Sequence, residues 1–223
     1  MIVNFLRWFI DFFLHLDKHL GAIIQQYGTG TYALLFAIIF CETGLVVTPF
    51  LPGDSLLFAA GTFAAMGALN IVWLAILLFA AAILGDSLNY WIGRRGGELI
   101  IQKYDGKLIR RAHVERAHRF YEKHGAKMIV LARFVPIVRT FAPFVAGIAK
   151  MSYGTFIYYN IIGGIAWISV FLFSGYFFGR IQIVQQNFSL VVLAIIGVSL
   201  LPMVYEVWQA RKEKDGGDTT GRS

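Results

Sequence analysis

Two acids and two arginines stand inside stretches that are otherwise apolar. Glu42 and Asp54 lie within Thr31–Leu69, and Arg133 and Arg139 within Met128–Ala149. A lone charge at membrane depth costs roughly 2.5–3.5 kcal/mol even on a lenient insertion scale, so all four need partners. The acids occupy one stretch and the arginines the other, and docking the two would neutralise all of them. Two readings are open. One is a structural ion-pair network that fastens the halves together. The other is a binding site, because a guanidinium offers a planar fork that matches phosphate oxygens and a carboxylate in low dielectric can take up a proton. In that site Arg133 and Arg139 hold a phosphate. Glu42 and Asp54 exchange a proton and pair with the arginines whenever the site is empty, so that no cation is left alone in low dielectric.

Other polar residues carry less. Asp86, with Ser87 and Asn89, falls near one end of an apolar segment, where either a supporting role in the site or capping at the membrane interface suits it. Trp91, Trp167 and Trp208 read as interface anchors or packing. His113, His118 and His124 sit in a basic segment and read as solvated surface. The spacing from His113 to His118 is five, not the four of a helical zinc pair, and Glu115 is misplaced for that motif. No histidine lies with the intramembrane acids, and there is no Asp-rich cluster or nucleophile–base pattern. The expectation is therefore no catalytic residue, no metal, no cofactor and no enzyme.

The elements that must position the four charges follow from composition. The chain has 223 residues, 57% hydrophobic and 15% charged, against roughly 25% charged in soluble domains. Of its net charge of +7, the segment from Arg94 to Lys127 supplies +6, with ten Lys/Arg and four Asp/Glu. Long apolar runs flank that cluster, which removes the soluble basic surface that a nucleic-acid protein needs. Cys41 is the single cysteine, so no internal disulfide forms.

The reading is an all-α integral membrane protein with a single membrane domain over 1–210 and a polar tail over 211–223. Residues 1–20 place Asn4, Arg7, Asp11, His15 and Lys18 on one stripe of a helix lying along the bilayer surface. Segments 71–92, 153–178 and 188–208 are each long enough to cross a hydrocarbon core, which takes about 20 helical residues. Segments 31–69 and 128–149 are broken by Pro49, Pro52 and Gly53, and by Pro136 and Pro143. Breaks and charges at that depth are tolerated where protein or a wet cavity shields them, which reads each stretch as a re-entrant helical hairpin. For 31–69, one dip or two full spans give the same parity.

Charge then orients the chain. The positive-inside bias puts 94–127 in the cytoplasm and, with 128–149 re-entrant, returns Arg211, Lys212 and Lys214 to the same side. The halves also repeat at an offset of 86 residues: Ala60-Gly61 recurs as Ala146-Gly147, Phe58 as Phe144, and Tyr90-x-x-Gly93-Arg94 as Tyr176-x-x-Gly179-Arg180. Each unit reads as a broken, charged hairpin followed by a span, and the topology inverts one relative to the other. Inverted repeats whose breaks meet near the midplane are a recurring plan of secondary transporters.

Phe40-Cys-Glu42-Thr-Gly44, Pro49-Phe-Leu-Pro52-Gly53-Asp54, Gly85-Asp86 with Tyr90-x-x-Gly93-Arg94, and Ala132-Arg133-Phe134-x-Pro136-x-x-Arg139 together resemble the DedA family, as does the phrase from Tyr121 to Gly147. The resemblance covers nearly the whole chain and implies a multi-pass protein of the bacterial inner membrane, related to the VTT-domain lipid scramblases of eukaryotes. It links the chain to membrane-potential homeostasis, to resistance to cationic antimicrobials and to returning undecaprenyl phosphate across the membrane. It puts the required residues at Glu42, Asp54, Arg133 and Arg139, with Asp86, Pro52, Gly53 and Pro136 in the surrounding motifs. Together, the residues and the resemblance lead to the expectation of a proton-linked lipid translocase. Its partners are protons and a phosphate-bearing polyprenyl lipid or phospholipid. A cation/proton exchanger and an intramembrane lipid-modifying enzyme are the alternatives.

Overall fold

Backbone in lipid must satisfy its own hydrogen bonds, so long apolar stretches here have to be helical. The computed structural model describes residues 16–45, 53–104, 125–191, 193–195 and 197, and among them every regular element is a helix. The first four are α1 (Leu16–Tyr27), α2 (Gly30–Gly44), α3 (Gly53–Ala65) and α4 (Ile71–Tyr104). A 3-10 turn at Gly125–Lys127 then leads into α5 (Met128–Ala132), followed by α6 (Pro136–Ile148) and α7 (Tyr153–Ile168). A π-helical segment (Ser169–Phe173) joins α7 to α8 (Ser174–Phe178), and α9 (Gln182–Gln186) follows. The start of the amphipathic stripe, Pro49, Pro52, His113, His118, most of 188–208 and the tail lie outside the described residues.

Two stretches, Ile71–Gly96 and Tyr153–Phe178, are long and apolar enough to cross a membrane. The helices of 31–69 are shorter: α2 has 15 residues and α3 has 13. At 1.5 Å per residue they reach about 22 Å and about 20 Å, short of a hydrocarbon core of about 30 Å. In 128–149, α5 has 5 residues and α6 has 13.

Three boundaries differ from the sequence reading. The described helix at this end, Leu16–Tyr27, runs past residue 20, and Leu20 is buried with Ile24 packed on the same core. This end of it therefore packs on the other helices instead of lying wholly along a surface. The helix expected to end at Ile92 runs on to Tyr104, because nothing after Gly93 stops it. Its 34 residues make it about 51 Å long, so Arg94 and Arg95 continue a helix and do not begin a loop. Finally, 128–149 breaks only once, at Arg133–Val135. Pro136 opens α6, where its missing N–H costs nothing, whereas Pro143 lies buried inside α6 without ending it.

The 86-residue repeat has a physical use in the packing. α6 lies along α4, and α3 lies along 169–178, so each broken stretch packs on the span that follows the other one. Small residues permit both crossings. A Cβ on Gly147 would run into the backbone of Tyr90 and Arg94, and one on Gly61 into the backbone of Leu172 and Tyr176. Likewise Gly93 abuts the backbone of Phe144 and Gly175 that of Phe58. Such close approach is how helices associate where lipid offers no hydrophobic driving force. At the span ends, Arg94 donates to the Tyr90 hydroxyl, and Arg180 donates to the Tyr176 hydroxyl at 3.1 Å.

Because backbone atoms cannot give way as a flexible side chain can, Gly61→Ala and Gly147→Ala should each destabilise by about 1–3 kcal/mol. Gly154→Ala, where a Cβ meets open space, should change nothing. Thermal unfolding of the three variants in one detergent checks the contrast.

Candidate functional site

The site forms where the broken ends of the two stretches meet. α2 closes with Glu42-Thr43-Gly44, and Gly44 lies against the backbone of Gly85, which brings the end of α2 onto α4. The Glu42 carboxylate accepts the Gly53 N–H at 3.2 Å, so the last turn of α2 caps the first turn of α3. Gly53 is required there, because a Cβ would fall on the Glu42 carboxylate. Asp54 follows in the first turn of α3, where the helix dipole favours an anion. On the other side, Arg133 sits in the turn before α6 and Arg139 one helical turn inside it.

Arg139 is bracketed by both acids. One guanidinium nitrogen donates to Glu42 and the other to Asp54 at 2.6 Å. The Trp167 indole N–H donates to the same Asp54 oxygen at 2.8 Å, and the Arg139 guanidinium carbon lies 5.0 Å from the Trp167 ring centroid. Arg133 is held separately, donating to Asp86 and to the Asn160 carbonyl oxygen. The Asn160 amide nitrogen donates to the Ile83 carbonyl at 3.3 Å, which fixes the orientation of that side chain. Asn89 ties the halves together, donating to the Thr43 carbonyl at 3.1 Å and the Thr140 carbonyl at 2.8 Å.

The paired side chains are at most 13% exposed, so these are buried ion pairs, for which losing one partner is far costlier than losing both. Some bonding capacity is unspent: Glu42 Oε2, Asn89 Oδ1 and Arg133 Nε are buried without a hydrogen-bond partner. Between Thr43, Asp86, Arg133, Arg139, Thr140 and Trp167 lies a space that admits about one water molecule. Among the described residues no group of three His, Cys, Asp or Glu side chains could hold a metal ion.

The sequence brought the acids of one stretch to the arginines of the other, and the structure makes that juxtaposition through Arg139. Arg133 differs, since its partner is Asp86. The interfacial alternative for Asp86 is corrected: because α4 runs to Tyr104, Asp86 lies mid-helix and is buried, with 4% of its surface exposed. Trp167 also departs from the anchor reading and contributes to the site, while Trp91 remains exposed with Arg94 and Arg95 over its ring. Gly53 and Pro136 open the helices that carry Asp54 and Arg139; Pro52 lies outside the described residues. Asn160 had no signal beyond being an amide within an apolar segment, and Asn89 only its place beside Asp86.

Arg133→Met should cost about 3–5 kcal/mol by stranding Asp86, and adding Asp86→Leu should restore most of that loss. Denaturant unfolding of the two variants in detergent measures both.

Comparison with known proteins places the chain among membrane proteins. The family model described as the VTT domain matches residues 51–177. The chain is 53% identical to protein DedA of Escherichia coli over 92% of its own length and 94% of that protein. It is 41% identical to a membrane protein of Mycobacterium tuberculosis, covering 86% of each. It is 36% identical to the E. coli inner membrane protein YqjA, over 67% of this chain and 68% of the relative. No solved structure matches. The matched domain takes in α3 of the first broken stretch, all of the second, and Asp54, Arg133 and Arg139, with Glu42 lying before it, and the similarity to DedA extends over almost the whole chain: the protein belongs to the DedA family of VTT-domain membrane proteins.

Proposed function

We propose that this protein is a proton-linked lipid translocase of the bacterial inner membrane whose cargo is a phosphate-bearing lipid, with undecaprenyl phosphate the best single candidate. The observation that carries the proposal is Arg139 held between Glu42 and Asp54, buried where the two broken stretches meet. Carboxylate and phosphate oxygens present the same face to a guanidinium fork, so the two acids occupy the place that a lipid phosphate takes when the site is loaded. The surrounding space admits about one water molecule, so loading is an exchange and not an addition: a carboxylate withdraws as the phosphate arrives. Protonation of Glu42, whose second oxygen has no partner, is the step that frees Arg139. Asp54 stays bonded to the Trp167 N–H.

In this account 31–69 and 128–149 are re-entrant hairpins of opposite orientation, which the shortness of α2, α3, α5 and α6 supports. The polyprenyl tail stays in the bilayer beside them and only the head group crosses through the site. The basic segment 94–127 and the C-terminus are cytoplasmic in a multi-pass topology. No bond is made or broken in the lipid, and no metal or cofactor takes part. Cation exchange is the weaker reading, because both acids that would bind the ion are engaged by Arg139.

The test is transbilayer movement of a labelled polyprenyl phosphate in vesicles. Loading takes up a proton, so movement should slow as pH rises. Arg139→Lys should lose more than tenfold despite its equal charge, because an ammonium is a single compact donor. Glu42→Gln should keep movement but weaken its dependence on pH. If Lys at 139 works as well as Arg, phosphate clamping loses its support; if Gln at 42 leaves the pH dependence intact, Asp54 carries the proton instead.

A further inference from the structure

The charges of the site do not balance. Glu42, Asp54 and Asp86 face Arg133 and Arg139, three carboxylates against two guanidiniums, a net charge of −1 when all are ionised. A phosphomonoester brings a charge of about −2 above its second ionisation near pH 6. Adding it to the ionised site would leave about three negative charges in a buried volume, whereas two protons taken up with it restore the starting charge. One proton can free Arg139 by neutralising Glu42. Arg133 is still tied to an acid of its own.

We propose that Asp86 is a second proton-exchanging residue, a positioning residue that releases Arg133 to the lipid phosphate, so that one phosphomonoester is loaded with two protons. The inference rests on the lipid-phosphate reading above and adds its stoichiometry and the role of Asp86.

Three observations support it. Arg133 and Arg139 line the same space, although they are paired on separate acids. Arg133 is 5% exposed yet its Nε–H has no partner. The site thus retains donor capacity that its own residues do not use. Arg133 also has a second support that outlasts Asp86: Asn160, fully buried and oriented by its bond to Ile83, continues to hold one guanidinium nitrogen. The stem has its room because Gly163 carries no side chain, since a Cβ there would stand 2.9 Å from Arg133 Cδ.

The charged and titratable groups around Asp86 are few. The turn before α6 supplies Arg133 and α6 itself supplies Arg139, with Glu42 of α2 and Asp54 of α3 across Arg139. From α7, Asn160 shares Arg133, and the Tyr153 hydroxyl bonds the neighbouring Ser87 at 3.2 Å. Tyr90, one turn along α4, gives its hydroxyl proton to the Met151 carbonyl. Arg133 is the cation that Asp86 directly engages, and Arg139 feels the same carboxylate from farther away, so neutralising Asp86 acts chiefly on Arg133.

The test counts protons. Purified full-length protein in weakly buffered detergent at pH 8, where the free ester is a dianion, is titrated with a short-chain prenyl monophosphate while a pH indicator reports proton uptake per lipid bound. The wild type should take up about two, Asp86→Asn about one with weaker binding, and Asp86→Glu, which can still be protonated, about two. A wild-type count of one, or an unchanged count in Asp86→Asn, overturns this proposal while leaving lipid binding intact. If Asp86→Asn does not bind, Asp54→Asn decides, a count of two upholding the proposal and a count of one, which assigns the second proton to Asp54, overturning it. No binding by the wild type overturns the lipid-phosphate reading and this inference with it.

Discussion

A guanidinium buried among helices has to be matched by an anion, and much of this structure can be understood as the means of supplying one. Arg139 reaches Glu42 and Asp54 only because α2 stops at Gly44 and α3 restarts at Gly53, so that a helix end and a helix beginning converge on it. The break before Pro136 does the same for the other half, placing Arg133 in a turn and Arg139 a turn beyond. Helices that ran unbroken through these positions would scatter the four charges along their lengths. The close glycine crossings at Gly61, Gly93, Gly147 and Gly175 then bring the two units near enough for the pairs to form.

Buried pairs of this kind are weak sources of stability, because desolvation offsets much of the attraction. Three such pairs, a shared tryptophan N–H and an asparagine bridging two helix ends are a large polar commitment for a chain that is 57% hydrophobic. An apolar interface would hold the helices together at least as well. The polar one has an additional property: its partners can be exchanged, one anion for another or a charge for a proton, without dismantling the crossings that lie outside it.

The main elements of the site were legible in the sequence because charge is conspicuous in an apolar run. Glu42, Asp54, Arg133 and Arg139 could be picked out by cost alone, and the prolines and glycines beside them marked where the helices break. The pairing of Arg133 was not legible. Asp86 stood near the end of a segment that hydropathy closes at Ile92, and only the continuation of α4 to Tyr104 moves it to mid-helix. Asn160 and Trp167 escaped for a different reason, and Asn89 was marked only as a neighbour of Asp86. An amide or an indole costs little in a span and has an ordinary packing role, so nothing in composition sets apart those that meet a charge. Pro143 misled in the opposite direction, since its buried place in the α6–α4 packing lets the helix continue.

Lipid transport through this site requires the guanidiniums to exchange their carboxylates for a lipid phosphate. A structure of the protein solved in lipid with a polyprenyl monophosphate, at a pH low enough to protonate Glu42, tests this most directly. The predicted result is phosphate density within hydrogen-bonding reach of both Arg133 and Arg139, with Glu42 withdrawn from Arg139 and Asp86 from Arg133. Phosphate bound elsewhere, with the Arg139–Glu42, Arg139–Asp54 and Arg133–Asp86 pairs all intact, would contradict it.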